Sequence, residues 1–506
     1  MIIRNLPAPS RRGPTAGPIV PLDWKGCEAG LQCATMRAPL DYEHPDGPGI
    51  DVFVARRPAG DPARRIGVLY VNPGGPGAPA YELLRDAIDQ VLSPETLARF
   101  DIIAMDPRGT LRSRPLNCEQ ADVEVRGATL DDLYTAIGEA CQQTDGPDLP
   151  FINTVETARD MDRLRVSLGE AKISYAGFSY GGYLGAVYAS AFPGSLRAII
   201  LDSGVDPDQF GANYLIGKMK SWERALGGFL DACTTNVIFA CPFNDGTDLR
   251  VRFDTIVARL GDSGPATTDL SNTPRFVFES KVLALLSEPA GWPALAGGLN
   301  LAAAQTRPAD IARSVDVAVL RGGGPRESDV DATKSTLASF AIFCRDGILP
   351  STPEALAQVA AAIPTSAPHF RALATNSSSL SVCAHWPVRP RPPQPLTPLG
   401  SPPILLFGST LDLLAPVEWS QALAVKMGGP LVIRSGAGHV AMGRSKCINA
   451  FAQAFLIDLA VPPASSSCDF PTAAPTPGPA PAPPPPPPPS PLIPGPPIGT
   501  PNSPFG

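Results

Sequence analysis

The pentapeptide Gly177-Phe178-Ser179-Tyr180-Gly181 constrains the fold of this chain more than any other stretch. It has the pattern G-x-S-x-G and lies between a β-rich run at 172–176 and a helix-like run at 180–192. A serine at the apex of a sharp strand-to-helix turn needs glycines on both sides, because the backbone bends tightly and close neighbours must lack a Cβ. The helix that follows points its free N–H groups at negative charge developing beside the serine. Such a turn needs parallel strands backed by helices, and the rest of the chain supplies them. β-rich runs recur at 50–55, 66–72, 101–105, 173–176, 198–201, 404–407 and 431–434, with helical runs at 155–168, 180–192, 417–426 and 445–459. That alternation predicts an α/β fold built on a mostly parallel sheet with flanking helices.

The stretch 205–388 breaks the alternation. It carries helical runs at 222–233 and 281–286 and is expected to be a helical lid inserted into the sheet domain. The expected organisation is therefore an N-terminal extension (1–25), the first part of the core (26–204), the lid (205–388), the second part of the core (389–470) and a tail (471–506). The tail is Pro-, Ala- and Gly-rich, with an unbroken proline run from Pro483 to Pro489. It cannot form a packed core and is expected to extend as polyproline II, a spacer suited to association with a cell wall.

A serine at its ordinary pKa needs a base, and the chain offers four histidines. His44 precedes the sheet, His369 lies in the lid and His385 sits in an apolar segment at the lid's end. His439, in Gly436-Ala437-Gly438-His439, follows the last strand-like run and precedes the last helix. Loops at the carboxyl ends of parallel strands line the active site of such sheets, and the chain order serine, acid, histidine selects His439. The acid is expected after the preceding strand. There Asp412 is the first acidic residue, with Glu418 as the fallback. Asn72-Pro73-Gly74-Gly75-Pro76-Gly77 follows the run 66–72 where an oxyanion loop belongs. The amides of Gly75 and Tyr180 are the expected donors to the oxyanion. No cofactor and no metal site is expected: none of the cysteines has CxxC spacing.

The ten cysteines form five sequence-local couples, Cys27/Cys33, Cys118/Cys141, Cys233/Cys241, Cys344/Cys383 and Cys447/Cys468. An even set at such spacings reads as structural disulfides, hence an oxidising compartment, with the pairing itself left open. The segment before residue 23 has arginines but no apolar core of a signal peptide, so a leader is expected to be missing from this start. A net charge of −7 argues against nucleic acid or an anionic membrane as partner. No run of about 18 apolar residues, the length a membrane span needs, occurs.

Several motifs in order resemble a known family. They are Ala38-Pro39-Leu40-Asp41-Tyr42, Asn72-Pro73-Gly74-Gly75-Pro76-Gly77, Asp106-Pro107-Arg108-Gly109, Asp162-Arg163-Leu164-Arg165, the stretch from Ser174 through Gly181, and Gly438-His439 followed by Cys447 and Cys468. Together they resemble the secreted bacterial tripeptidyl-aminopeptidase-like α/β-hydrolases, relatives of proline iminopeptidase, from about Cys33 to Cys468. The resemblance implies the α/β-hydrolase fold, export, and an exopeptidase that removes short peptides from free N-termini beneath a helical lid. Two departures, Leu111 in place of glycine and Ala78-Pro79 after Gly77, put substrate range in question. Asp106 and Arg108 are expected to be a buried structural pair.

The expected partner is a peptide substrate whose ammonium is met by a lid carboxylate, with Asp206, Asp208, Glu223, Asp231 and Glu279 available. The alternative is an esterase or lipase using the same three residues on small esters. A non-catalytic binding protein that uses the tail is the reading from another class.

Overall fold

The computed structural model describes residues 15–468, apart from 122, 127–128, 236–238, 262–272, 316–328, 377–379, 398–402 and 464–465. The proline-rich tail and most of the N-terminal extension expected from the sequence lie outside these residues.

The apolar runs become strands because each buries both faces. In Gly67–Asn72 (β4), Val68 and Tyr70 enter one core cluster while Leu69 and Val71 enter the other. The same alternation holds in Phe100–Met105 (β5), Ile173–Phe178 (β6), Leu196–Asp202 (β7) and Ile404–Leu411 (β8). Strands covered on both sides read as continuous hydrophobic runs, which is the habit of parallel sheets. With Lys25–Gly26 (β1), Gln32–Pro39 (β2), Gly49–Arg57 (β3), Leu431–Ala437 (β9) and Ser467–Cys468 (β10), they form one ten-stranded sheet of order β1-β2-β3-β5-β4-β6-β7-β8-β9-β10. The pairs β1–β2, β2–β3 and β3–β5 are antiparallel and every later pair is parallel.

β2 escapes a reading by periodicity because its inward residues, Ala34, Met36 and Ala38, are weak strand formers that pairing with β3 overrides. One face of the sheet carries the helices Thr154–Ser167 and Tyr180–Ala191, and the other is packed by Lys446–Asp458.

β7 and β8 pair directly, Ile199 beside Ile404, although the chain between them leaves the sheet. That excursion is more helical than the sequence suggests. It includes Ala212–Thr235, Leu249–Leu260, Pro274–Leu286, Trp292–Ala303, Asp329–Arg345 and Pro353–Ser366. The available signals were its N-caps: Asp248, Thr273 and Thr352 each accept a backbone N–H, and proline opens the last two of those helices. All five cysteine couples close as neighbours. Cys344–Cys383 ties the helix Asp329–Arg345 to the excursion's exit, and Cys447–Cys468 ties β10 to the last helix.

Candidate functional site

Ser179 lies between β6 and the helix Tyr180–Ala191 with φ 57° and ψ −126°, a conformation that costs free energy for any residue with a Cβ. Packing holds it there. A Cβ on Gly177 would come within 2.2 Å of the Gly181 carbonyl oxygen, and one on Gly74 within 2.4 Å of the Phe178 carbonyl oxygen. The glycines on both sides of the turn and in the facing loop are therefore obligatory. The Ser179 N–H donates to the Asp202 carbonyl at 2.8 Å, fixing the turn to the end of β7.

His439 stands in the loop after β9. Its Nδ1 lies 2.9 Å from each carboxylate oxygen of Asp412, which follows β8. Asp412 is fully enclosed and also accepts the Leu414 and Ala415 N–H groups, both at 2.9 Å. Burial alone would raise its carboxyl. The facing His439 ring and the two amides outweigh burial and hold it below the usual carboxylate value. His439 Nε2 is buried and has no hydrogen-bond partner among the described residues, so this nitrogen is free to take a proton from a group brought against it. The fallback acid Glu418 instead pairs with Arg224 at the surface. His44, His369 and His385 are engaged with Asp41, with Glu223 and Asp254, and with Asp131, respectively.

Gly74, rather than Gly75, packs on the serine: its Cβ would lie 2.9 Å from that of Ser179, and its N–H is committed to Asn72 Oδ1. Gly75 follows with φ 101°. Neither the Gly75 nor the Tyr180 N–H is donated to an acceptor among the described residues. The loop leans on the excursion between β7 and β8. Ser339 Oγ donates to the Pro76 carbonyl at 2.5 Å, and a Cβ on Gly77 would strike Ser335 and Ser339.

Two connections escaped the sequence. The Asp202 carboxylate, buried at the end of β7, accepts the Ala441 N–H with both oxygens at 2.9 Å and the Met442 N–H at 2.7 Å. Asp202 thus joins the serine turn, through its carbonyl, to the histidine loop, through its side chain. An acid closing an apolar strand, Ile199-Ile200-Leu201-Asp202, was the available signal. Buried Asp346 accepts the Thr154 N–H at 3.0 Å and the Thr154 hydroxyl, which in turn lies 2.5 Å from the Tyr180 hydroxyl. Burial pushes the Asp346 carboxyl up to about 6.

Asp106 and Arg108 are both buried, but not as a pair. Asp106 accepts the Tyr81 N–H and meets Arg112, whereas Arg108 forms a two-pronged bridge to Asp160. Each loop needs its own partner because the two side chains leave the strand end on different sides. Each of the five lid carboxylates nominated to meet a substrate ammonium has a cationic partner. Asp206 and Asp208 share Lys426, Glu223 holds His369, Asp231 meets Arg250, and Glu279 is buried against Arg275. Glu288, also in the excursion, reaches the backbone of the His439 loop through Arg444. Its carboxylate grips Arg444, whose Nε donates to the His439 carbonyl at 2.8 Å. Among the described residues no group of three or more His, Cys, Asp or Glu is placed to hold a metal ion.

Two family models match the chain: an α/β-hydrolase-fold model over residues 67–239 and one described as TAP-like protein over 368–468. Among curated proteins, serine protease Hip1 of Mycobacterium tuberculosis is 28% identical over 488 residues, covering 88% of this chain and 91% of that one. Carboxylesterase B of the same species is 29% identical over 456 residues, 86% of each chain. Tripeptidyl aminopeptidase of Streptomyces lividans is 28% identical over 470 residues, 86% of this chain and 84% of that one.

Proposed function

Because the chain belongs to the TAP-like α/β-hydrolases, we propose that it is an exported serine aminopeptidase releasing short peptides from free N-termini through an acyl-enzyme. The observation that carries this reading is the contact of His439 Nδ1 with both oxygens of a buried Asp412, opposite an unpartnered Nε2. Asp412 fixes the tautomer with the proton on Nδ1. Nε2 then accepts the Ser179 proton as Oγ attacks the carbonyl carbon, and returns it to the leaving amine. The developing oxyanion is met by the Gly75 and Tyr180 amides, each worth about 2.7–4 kcal/mol of transition-state stabilisation. Water then attacks the acyl-enzyme by the same proton path in reverse. The helices between β7 and β8 act as the lid, and the five disulfides support export. In this reading the 471–506 tail is a spacer to the cell wall.

The esterase reading keeps one observation in its favour: all five nominated lid carboxylates already have a cationic partner. For a peptidase the ammonium must then be received by exchange at an existing pair, and Glu288 beside the His439 loop is the carboxylate placed for it. A tripeptide anilide with and without an N-acetyl group separates the two readings. Acetylation removes a charge-assisted hydrogen bond, so kcat/KM should fall about tenfold or more. Equal rates, or a preference for the blocked peptide, would replace the aminopeptidase with the esterase.

A further inference from the structure

The helix Ala212–Thr235 crosses the end of β8 with one face turned to the acid loop. On that face Ser221 Oγ donates to the carbonyl of Leu413, the residue after Asp412, at 3.0 Å. Tyr214, about two turns earlier, stacks on Trp419 with ring centroids 5.0 Å apart. Between them, at the spacing that puts residues three and four apart on one face, comes Lys218. It is half-buried, and its ammonium stands 5.6 Å from the centre of the Tyr214 ring.

Its surroundings are unlike those of three arginines of the excursion. Arg224, Arg250 and Arg275 each meet a carboxylate in direct contact. Lys218 meets none among the described residues, and the one carboxylate whose field reaches it is Asp412, already shared between His439 and two backbone amides. Burial pushes its ammonium down to about 8, with Asp412 only partly offsetting the effect. A desolvated cation without a counter-ion destabilises the fold that holds it unless something else supplies the anion. The aromatic face of Tyr214 favours the charged form but brings no hydrogen bond.

We propose that Lys218 is a substrate-binding residue that receives a carboxylate of the substrate beside the reacting centre, so that the enzyme prefers acidic peptides. This rests on the assignment of Ser179, His439 and Asp412 as that centre. Two parts of a peptide carry the required group: an acidic side chain on the acyl side and the C-terminal carboxylate of the leaving part. Both place a monovalent oxyanion against the ammonium and complete the missing pair.

The test compares kcat/KM at neutral pH in two arms. One uses tripeptide anilides with Glu or Gln at each position in turn, and the other uses a tetrapeptide with a free or amidated C-terminus. In at least one arm the wild-type enzyme should favour the carboxylate about tenfold or more, as expected for a charged hydrogen bond. The arm that responds identifies the source. Lys218→Met should bring that ratio to within about twofold, Lys218→Glu should invert it, and Lys218→Arg should keep it. A wild-type enzyme indifferent in both arms, or a Lys218→Met enzyme that keeps the full preference, overturns the proposal. Labelling of Ser179 by a fluorophosphonate is measured on the same preparations. Loss of labelling in the wild type would remove the reacting centre itself, whereas normal labelling without carboxylate preference removes only the role of Lys218.

Discussion

Replacing Asp202 tests how the serine turn and the histidine loop are held together. In Asp202→Asn the side chain keeps its shape and one accepting oxygen, but the other oxygen becomes an NH2 group aimed at a backbone N–H. Asp202 accepts the Ala441 and Met442 N–H groups through three contacts of 2.7–2.9 Å, all buried. In one amide orientation the Met442 N–H loses its acceptor, and in the other the NH2 group stands 2.9 Å from the Ala441 nitrogen, so either orientation costs about 1–3 kcal/mol. Part of that cost is returned, because burial holds the wild-type carboxyl above its ordinary value and the amide carries no charge to desolvate. The expected net loss is about 1–2 kcal/mol of stability. The larger effect should fall on rate. His439 sits two residues from Ala441, and a loop displacement of about 1 Å at the proposed base should cost about 10²-fold. Chemical denaturation should show a lower midpoint with an unchanged slope, while kcat falls about 10- to 100-fold and KM moves little. A variant within 0.5 kcal/mol and twofold of wild type, by the same about-1 kcal/mol standard for a lost hydrogen bond, would refute the role assigned to this acid.

Ser179→Ala should leave folding intact and reduce kcat below about a thousandth of wild type, checked by single-turnover anilide hydrolysis. Asp346 titrates near 6 in the fold against 3.8 for the free group, so the unfolded chain loses this proton first and the contribution of Asp346 to stability falls as pH rises from about 4 to 6. Asp346→Asn should flatten that part of the wild-type stability curve, by about 3 kcal/mol at the upper bound, in denaturation at pH 4 and pH 7. Mass spectrometry of unreduced protein from an exporting host should find no free thiol among the ten cysteines. Full reduction should lower the melting temperature, each bridge contributing about 2–4 kcal/mol.

Sequence reading reached the central strands and the turn at Ser179 because burial on both faces and obligatory glycines each leave an unambiguous local trace. It singled out Asp412 and His439, which the fold brings into contact, by their places after β8 and β9, where chain order does the selecting. It missed β2, whose alanines and methionine carry little strand preference, and most of the helices between β7 and β8, whose caps are single residues spread over a long stretch. Asp202 and Lys218 were out of reach for a different reason. Their significance lies in partners 239 residues away or in the absence of a partner, and neither property is written in neighbouring letters. The choice among lid carboxylates was out of reach on the same ground. Counting acids in a segment says nothing about the arginines, lysine and histidine that the fold brings to them.

The direct pairing of β7 with β8 also bears on how the chain is made. About two hundred residues separate Asp202 from Ile404, and at synthesis rates of about 5–20 residues per second the exposed flank of β7 waits about 10–40 s for its neighbour. During that interval an apolar strand, Ile199-Ile200-Leu201, presents unpaired backbone groups to any other chain nearby. The helices that emerge in between make many of their contacts with one another, so they can collect into a body of their own first and screen the open flank. A nascent chain cut after residue 375 should therefore be protease-resistant in its helical part while its sheet is still sticky, and release of the remaining 131 residues should convert it to the finished molecule.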